Sequence, residues 1–77
     1  MNLEQLKEIC GDKEELKWLT KEFSSGLRSG RPFSVLIYTN EGKWLAQHFD
    51  QHGCPFDKPA ISKNINDVQD VYFELQY

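Results

Sequence analysis

The chain has 77 residues, a formal net charge of -3 and a hydrophobic share of 39%. A chain of this length has room for one core, so we expect a single domain spanning residues 1–77. Five Phe, three Tyr and two Trp exclude a disordered protein, because such chains carry little aromatic surface. The net acidity argues against a protein that binds nucleic acid by unspecific attraction to phosphates.

The lengths of the apolar runs and the number of cysteines predict the cellular location. No window approaches the roughly 18 consecutive apolar residues of a membrane span, and the N-terminus lacks the basic and apolar regions of a signal peptide. Cys10 and Cys54 are too few for a disulfide framework. We therefore expect a cytoplasmic protein that does not contact a membrane.

Two helices are predicted in the first part of the chain. Asn2, with Gln5 three residues later, forms a capping box before a short first helix. Asp12 and Glu15 hold the same two positions before a second helix. We expect the second helix to end at residues 24–26, because the glycines and the proline of residues 25–32 are typical of a loop. The apolar stripe of this helix contains Leu16, Leu19, Phe23 and Leu27.

A β-hairpin is predicted next. Residues 33–39 are dense in β-branched and aromatic side chains, and residues 43–49 form the return strand. The three residues between them suit a hairpin loop in which Gly42 adopts a positive φ. The register then pairs Tyr38 with Trp44, Ile37 with Leu45, Leu36 with Ala46, Val35 with Gln47 and Phe33 with Phe49.

The last part of the chain is ambiguous between strand and helix. Residues 50–64, with one glycine and two prolines, are predicted to be a long loop. Residues 70–77 alternate in polarity and are predicted to form a third strand, which the crowding of Val, Tyr and Phe favours. A helical stripe is the alternative, formed by Ile65, Val68, Tyr72 and Leu75.

These elements predict an α+β fold in which two N-terminal helices pack on one face of a three-stranded antiparallel sheet (ααβββ). Whether the third strand pairs with the first or the second is left open, because the connection is long enough for either. The predicted core combines the helical stripe with Phe33, Val35, Ile37, Phe73 and Leu75.

The opposite face of this sheet is the best candidate for a binding surface. No helix remains in the predicted fold to cover it, and large aromatic side chains on a wet face are typical of interface hot spots. The alternative is ordinary packing of cross-strand neighbours. The predicted partner-binding residues are Leu36, Tyr38, Trp44, Tyr72 and Glu74.

A basic stripe on the second helix and in the following loop is an alternative site for nucleic-acid phosphates. Its residues are Lys13, Lys17, Lys21, Arg28 and Arg31. Glu14, Glu15 and Glu22 on the other side of the helix favour an ordinary solvated helix instead. Trp18 lies off the apolar stripe, so we expect it either to pack against the first helix or to be exposed.

Residues 48–54 contain ligand-type side chains at two-residue steps. His48, His52 and Cys54, with Asp50, are weak candidates for a zinc site, because their spacing matches no zinc signature. A Cys54 nucleophile with a histidine base lacks an orienting group and an oxyanion site. We therefore expect no catalytic residue, no metal and no other cofactor.

The leading functional hypothesis is a small non-enzymatic binding protein that acts on a protein partner as an inhibitor, regulator or adaptor. The excess of acidic residues lies in the second half of the chain, which favours a basic partner. The alternative is a nucleic-acid-binding protein that uses the basic stripe for phosphates and the sheet aromatics Tyr38, Trp44 or Tyr72 for stacking. A metal- or thiol-dependent enzyme is third. The small margin of stability of so short a chain keeps a homo-oligomer open.

Overall fold

Residues 1–75 are described by the structure, which is a computed structural model. In this range three helices and three strands follow one another along the chain. They are α1 (Leu3–Ile9), α2 (Lys13–Ser29), β1 (Phe33–Tyr38), β2 (Trp44–Phe49), β3 (Pro55–Ser62) and α3 (Ile65–Phe73). The predicted α+β class is confirmed: two helices precede a three-stranded antiparallel sheet, and a third helix follows it.

The N-terminal helices begin where the sequence predicts. The Asn2 side chain accepts from the backbone N–H of Gln5, and the Gln5 side chain accepts from that of Asn2, both at 2.9 Å. The Asp12 side chain accepts from the N–H of Glu15 at 2.8 Å. These bonds satisfy backbone donors that the first turn of a helix leaves without a partner.

The hairpin of β1 and β2 has the predicted register, from Phe33 opposite Phe49 to Tyr38 opposite Trp44. Gly42 has a φ of 78°, and the N–H of Thr39 donates to the carbonyl of Lys43 at 2.7 Å. Since side chains alternate along a strand, this register assigns each residue of the hairpin to one face of the sheet.

The third strand is not where the sequence predicts it. It is β3, which lies within the predicted loop of residues 50–64 and pairs with β2, so β2 is the central strand. The predicted strand of residues 70–77 is wrong up to Phe73, because those residues belong to α3; Tyr77 lies outside the described residues. The Asn64 side chain caps α3 and Val68 is 1% exposed, so a cap and one buried side chain outweigh local β-propensity.

The unusual composition of β3 is explained by its place at the edge of the sheet. An edge strand tolerates proline, which cannot donate to a neighbouring strand. A bulge interrupts its pairing opposite Gln47, and Asp57 within it has a φ of 60°. The Gln47 side-chain amide donates to the carbonyls of Phe56 and Asp57, so the backbone groups freed by the bulge have a partner.

The second helix extends past its predicted end. It continues to Ser29, where Gly30 caps it with a φ of 69° and donates its N–H to the carbonyl of Leu27. Gly26 therefore lies inside the helix. A Cβ atom there would lie 2.2 Å from Cδ2 of Phe33, so the missing side chain makes room for that ring.

The main core lies between the sheet and the first two helices. Leu6 of α1 and Leu19 of α2 are fully buried against the face of the hairpin that carries Ile37. Phe73 is 52% exposed, so the prediction that it joins this core is wrong. The reason is that Phe73 belongs to α3 on the other face. The buried cluster consists of Leu6, Leu19, Phe33, Val35, Ile37, Leu45 and Phe49.

The opposite face of the sheet is covered by α3, which packs against all three strands. The Ser34 hydroxyl donates to the carbonyl of Tyr72, and the Nε2–H of His48 donates to that of Val71 at 2.8 Å. The prediction of an uncovered second face is therefore wrong. The helix covers Ser34, Ala46 and His48, each at most 6% exposed, but the aromatic end of this face remains accessible.

Candidate partner-binding site

An open cavity of about 300 Å³ lies beside α3 at the aromatic end of the second face. Side chains from four elements line it. We call this site the aromatic groove, and it is lined by Glu15 and Trp18 of α2, Leu36 of β1, Trp44 of β2 and Tyr72 of α3. Three of the predicted partner-binding residues thus meet in one cavity.

The side chains that α2 contributes are held by the free edge of β1. In an antiparallel pair, every second residue of an edge strand directs its N–H and C=O away from the neighbouring strand. The indole N–H of Trp18 donates to the carbonyl of Leu36 at 3.2 Å, and Glu15 Oε2 accepts from the N–H of Tyr38 at 3.1 Å. These bonds fix the orientation of both side chains. They also give hydrogen-bond partners to two backbone groups of β1 that point away from β2.

Tyr38 packs against the groove from outside. Its ring meets that of Trp44 edge to face, with centroids 4.9 Å apart, and it is 38% exposed. Both the predicted cross-strand packing and an accessible aromatic surface are therefore present at this pair. The sequence predicts that Trp18 either packs against the first helix or is exposed. It is 48% exposed, so the second alternative is observed.

Tyr72 is held at the α3 side of the groove by an acidic partner. Its hydroxyl donates to Glu22 Oε1 at 2.7 Å. Burial, with the hydrogen bond and charge of Glu22, raises the pKa of Tyr72, so the phenol remains protonated. Burial also raises the pKa of Glu22, while the Tyr72 hydroxyl acts in the opposite direction.

Glu22→Gln is expected to stabilise the protein at neutral pH, by about 2 °C in melting temperature, a small effect because the site is half-exposed and screened. Glutamine still accepts from Tyr72 but has no charge to desolvate. Because the folded-state pKa of Glu22 is raised above its ordinary 4.5, the cost of its charge is absent below that pH and present above its folded-state pKa. In thermal melts the advantage should therefore shrink as the pH falls through the folded-state pKa of Glu22, and it should be absent below pH 4.5.

The matched control is Glu41→Gln, which changes an exposed residue of the hairpin turn by the same charge. Its melting temperature should follow that of the wild type over the same pH range. A Glu22→Gln variant that is less stable than wild type at neutral pH would contradict a net cost of burying this carboxylate.

Glu74, the remaining predicted partner-binding residue, lies elsewhere. Its Oε2 atom is 3.7 Å from Nε2 of His48, and Oδ2 of Asp57 is 3.6 Å from Nδ1 of the same ring. His48 is 6% exposed, and its bond to Val71 and its contact with Glu74 join α3 and its C-terminal cap to the sheet.

The other ligand-type side chains of residues 48–54 form a turn. Asp50 Oδ1 accepts from the N–H of Cys54 and from that of His52, at 2.9 and 2.8 Å, and these bonds lower the pKa of Asp50. Cys54 and Cys10 are free thiols. Within residues 1–75, no group of three or more His, Cys, Asp or Glu side chains could hold a metal ion.

The predicted basic stripe is divided by the fold. Lys17, Lys21 and Arg28 line an open depression of about 590 Å³ along α2, whereas Arg31 lines a different cavity beside Phe33. The lining of the depression includes Leu16 but no aromatic ring. Lys17, Lys21 and Arg28 therefore line a different surface from Trp44 and Tyr72 of the aromatic groove.

Two groove residues, Glu15 and Trp18, are absent from the predicted partner-binding set, although exposure of Trp18 is one of the two outcomes that the sequence predicts for it. The sequence predicts Glu15 as the partner of Asp12 in a capping box, but its carboxylate bonds to β1 instead. A signal was present: Glu15, Trp18 and Glu22 lie three and four residues apart, on one helix face away from the apolar stripe. It did not show which part of the protein that face meets.

No protein-family model, no curated protein and no solved structure matches this chain. The helices among residues 1–75 include none that is both long and apolar enough to cross a membrane. The chemistry of the aromatic groove is therefore the basis for a functional proposal.

Proposed function

We propose that this protein is a small non-enzymatic binding protein. It binds a protein partner through the aromatic groove and acts as an inhibitor, a regulator or an adaptor. The observation that carries the proposal is the convergence of Trp18, Trp44 and Tyr72 on one open cavity. Tryptophan and tyrosine dominate interface hot spots, because they supply a large rigid contact area at low cost in side-chain entropy. Hydrogen bonds of Trp18 and Tyr72 hold their rings before a partner arrives, which lowers the entropy cost of binding.

The sheet edges offer a weaker route to a partner. Strand addition needs a run of free N–H and C=O groups. On β1, Trp18 and Glu15 occupy two such groups, and the N–H of Gly11 donates to the carbonyl of Tyr38 at 3.0 Å. On β3, two prolines and a bulge interrupt the edge. These features favour recognition by side chains in the groove.

Nucleic-acid binding is the alternative proposal, on the basic depression of α2. It lacks stacking rings, and the net charge of the chain is -3. A complex held by these cations would weaken steeply with salt and disappear after nuclease treatment. The same experiment therefore separates the two proposals.

A pull-down from an extract of the source cell tests the function, with the full chain as bait and parallel samples without and with nuclease. Changing both Tyr38 and Trp44 to alanine should remove the protein partner, because loss of one hot-spot aromatic costs at least about 2 kcal/mol of binding. Captured proteins are identified by mass spectrometry, and circular dichroism must show that the double variant is folded.

The control bait changes Ile61 and Phe56 of β3 to alanine. These side chains are 50% and 37% exposed and lie outside the groove, so the control also loses two large exposed apolar groups. It should retain the partner. Retention by the folded Tyr38 and Trp44 double variant, or loss of the partner with nuclease alone, would overturn the proposal.

A further inference from the structure

The aromatic groove has the chemistry of a cation site. The faces of aromatic rings are electron-rich, and a cation within about 6 Å of a ring centre is attracted to them, most strongly by tryptophan. Two of the five lining side chains are tryptophan and one is tyrosine. The Trp18 indole keeps its orientation through its bond to Leu36, so its face is in place without a ligand.

The charges around the groove also favour a bound cation. Glu15 is the charged residue among its lining side chains, and the structure places none of the described lysines or arginines in that lining. The Glu15 carboxylate uses Oε2 to accept from Tyr38, and a carboxylate has acceptor sites for further donors. A second carboxylate, Glu22, lies behind the Tyr72 hydroxyl.

We propose that the aromatic groove takes an arginine side chain of the partner between its rings, with the guanidinium against Glu15. This deepens the function proposed above and rests on it. The cavity, at about 300 Å³, is at the lower limit of small-molecule pockets, which suits a single side chain. Arginine fits better than lysine, because a planar guanidinium stacks on aromatic faces and donates several hydrogen bonds to one carboxylate.

The fluorescence of the full chain offers a direct measurement. Its two tryptophans, Trp18 and Trp44, both line the groove, so a change in tryptophan emission reports on this site. The probes are N-acetylarginine amide and N-acetylcitrulline amide, which have nearly the same shape but differ in charge. The arginine probe should bind saturably in the millimolar range and at least about fivefold more tightly than the citrulline probe.

Variants of two neighbouring glutamates show which carboxylate contributes to binding of the arginine probe. Glu15→Gln keeps an acceptor for Tyr38 but removes the charge, and it should weaken binding of the arginine probe by about fivefold. The control is Glu14→Gln, because Glu14 is exposed, lies outside the groove and pairs at 3.8 Å with Lys17. This control should bind the probe as tightly as the wild type.

The results distinguish this inference from the function on which it rests. Equal binding of the two probes, equal effects of the two glutamine variants, or no saturable change with arginine would overturn the arginine site. If the partner is still lost from the Tyr38 and Trp44 double variant, the proposed function stands without it. If the arginine probe binds through Glu15 but the double variant keeps the partner, the cation site is supported and the proposed function is overturned.

Discussion

Ile37→Asp is expected to abolish the cooperative thermal transition of this protein. Ile37 is fully buried between the sheet and the first two helices. An aspartate there must either bury a charge without a partner or take up a proton, and it also removes a large apolar side chain. Together these changes cost at least about 4 kcal/mol, which is most of the stability of a domain this small. Circular-dichroism melts measure the loss.

Tyr38→Asp is the matched control, because it places the same charge at the next residue but on the other face of the sheet. Tyr38 is 38% exposed, so an aspartate there remains in water and loses mainly the contact with Trp44. We expect it to cost no more than about 1.5 kcal/mol. Equal damage from both substitutions, or greater damage at Tyr38, would contradict the register of β1.

Gly26→Ala is expected to destabilise the protein, although alanine is the better helix former by about 1 kcal/mol. The added methyl group would lie 2.2 to 2.6 Å from three ring atoms of Phe33. That ring is 6% exposed and packs against Phe23 and Phe49, with centroids 5.5 and 5.4 Å away, so it has little room to move. Overpacking should outweigh propensity, with a net loss of about 2 kcal/mol and a melting temperature at least about 8 °C lower.

Two further variants test whether the stability lost in Gly26→Ala comes from the collision with the ring of Phe33. Ser25→Ala, one residue away on the exposed side of α2, should leave the melting temperature unchanged or slightly higher. Phe33→Leu removes part of the ring, so the double variant with Gly26→Ala should lose less stability than the two single changes added together. A Gly26→Ala protein that melts above the wild type would show that the ring moves aside at little cost.

Part of the candidate site could be predicted from the sequence. The hairpin register places Leu36, Tyr38 and Trp44 on one face, and the structure has them there. The sequence predicts Tyr72 on the same face as part of a strand, but Tyr72 reaches the groove from α3. Glu15 and Trp18 could not be assigned, because their positions depend on how α2 packs along the edge of β1.

The amino-acid sequence by itself determined the starts of α1 and α2, the hairpin turn and the register of β1 with β2. Each of these depends on partners a few residues apart, such as Asn2 with Gln5 and Asp12 with Glu15, or on a glycine at one required φ. Short-range interactions of this kind are visible in the order of residues, because the chain itself holds the partners close together.

The tertiary structure alone decided where the third strand lies, where α2 ends and what covers the second face. Pro55 and Pro59 are acceptable because β3 occupies an edge, and Gly26 lies within α2 where the ring of Phe33 occupies the space that a side chain would fill. Residues 65–73 are helical because burial of Val68 against the sheet adds to the Asn64 cap and outweighs their local β-propensity. In each case the deciding partner is several residues to tens of residues away along the chain, and burial against it outweighs local propensity.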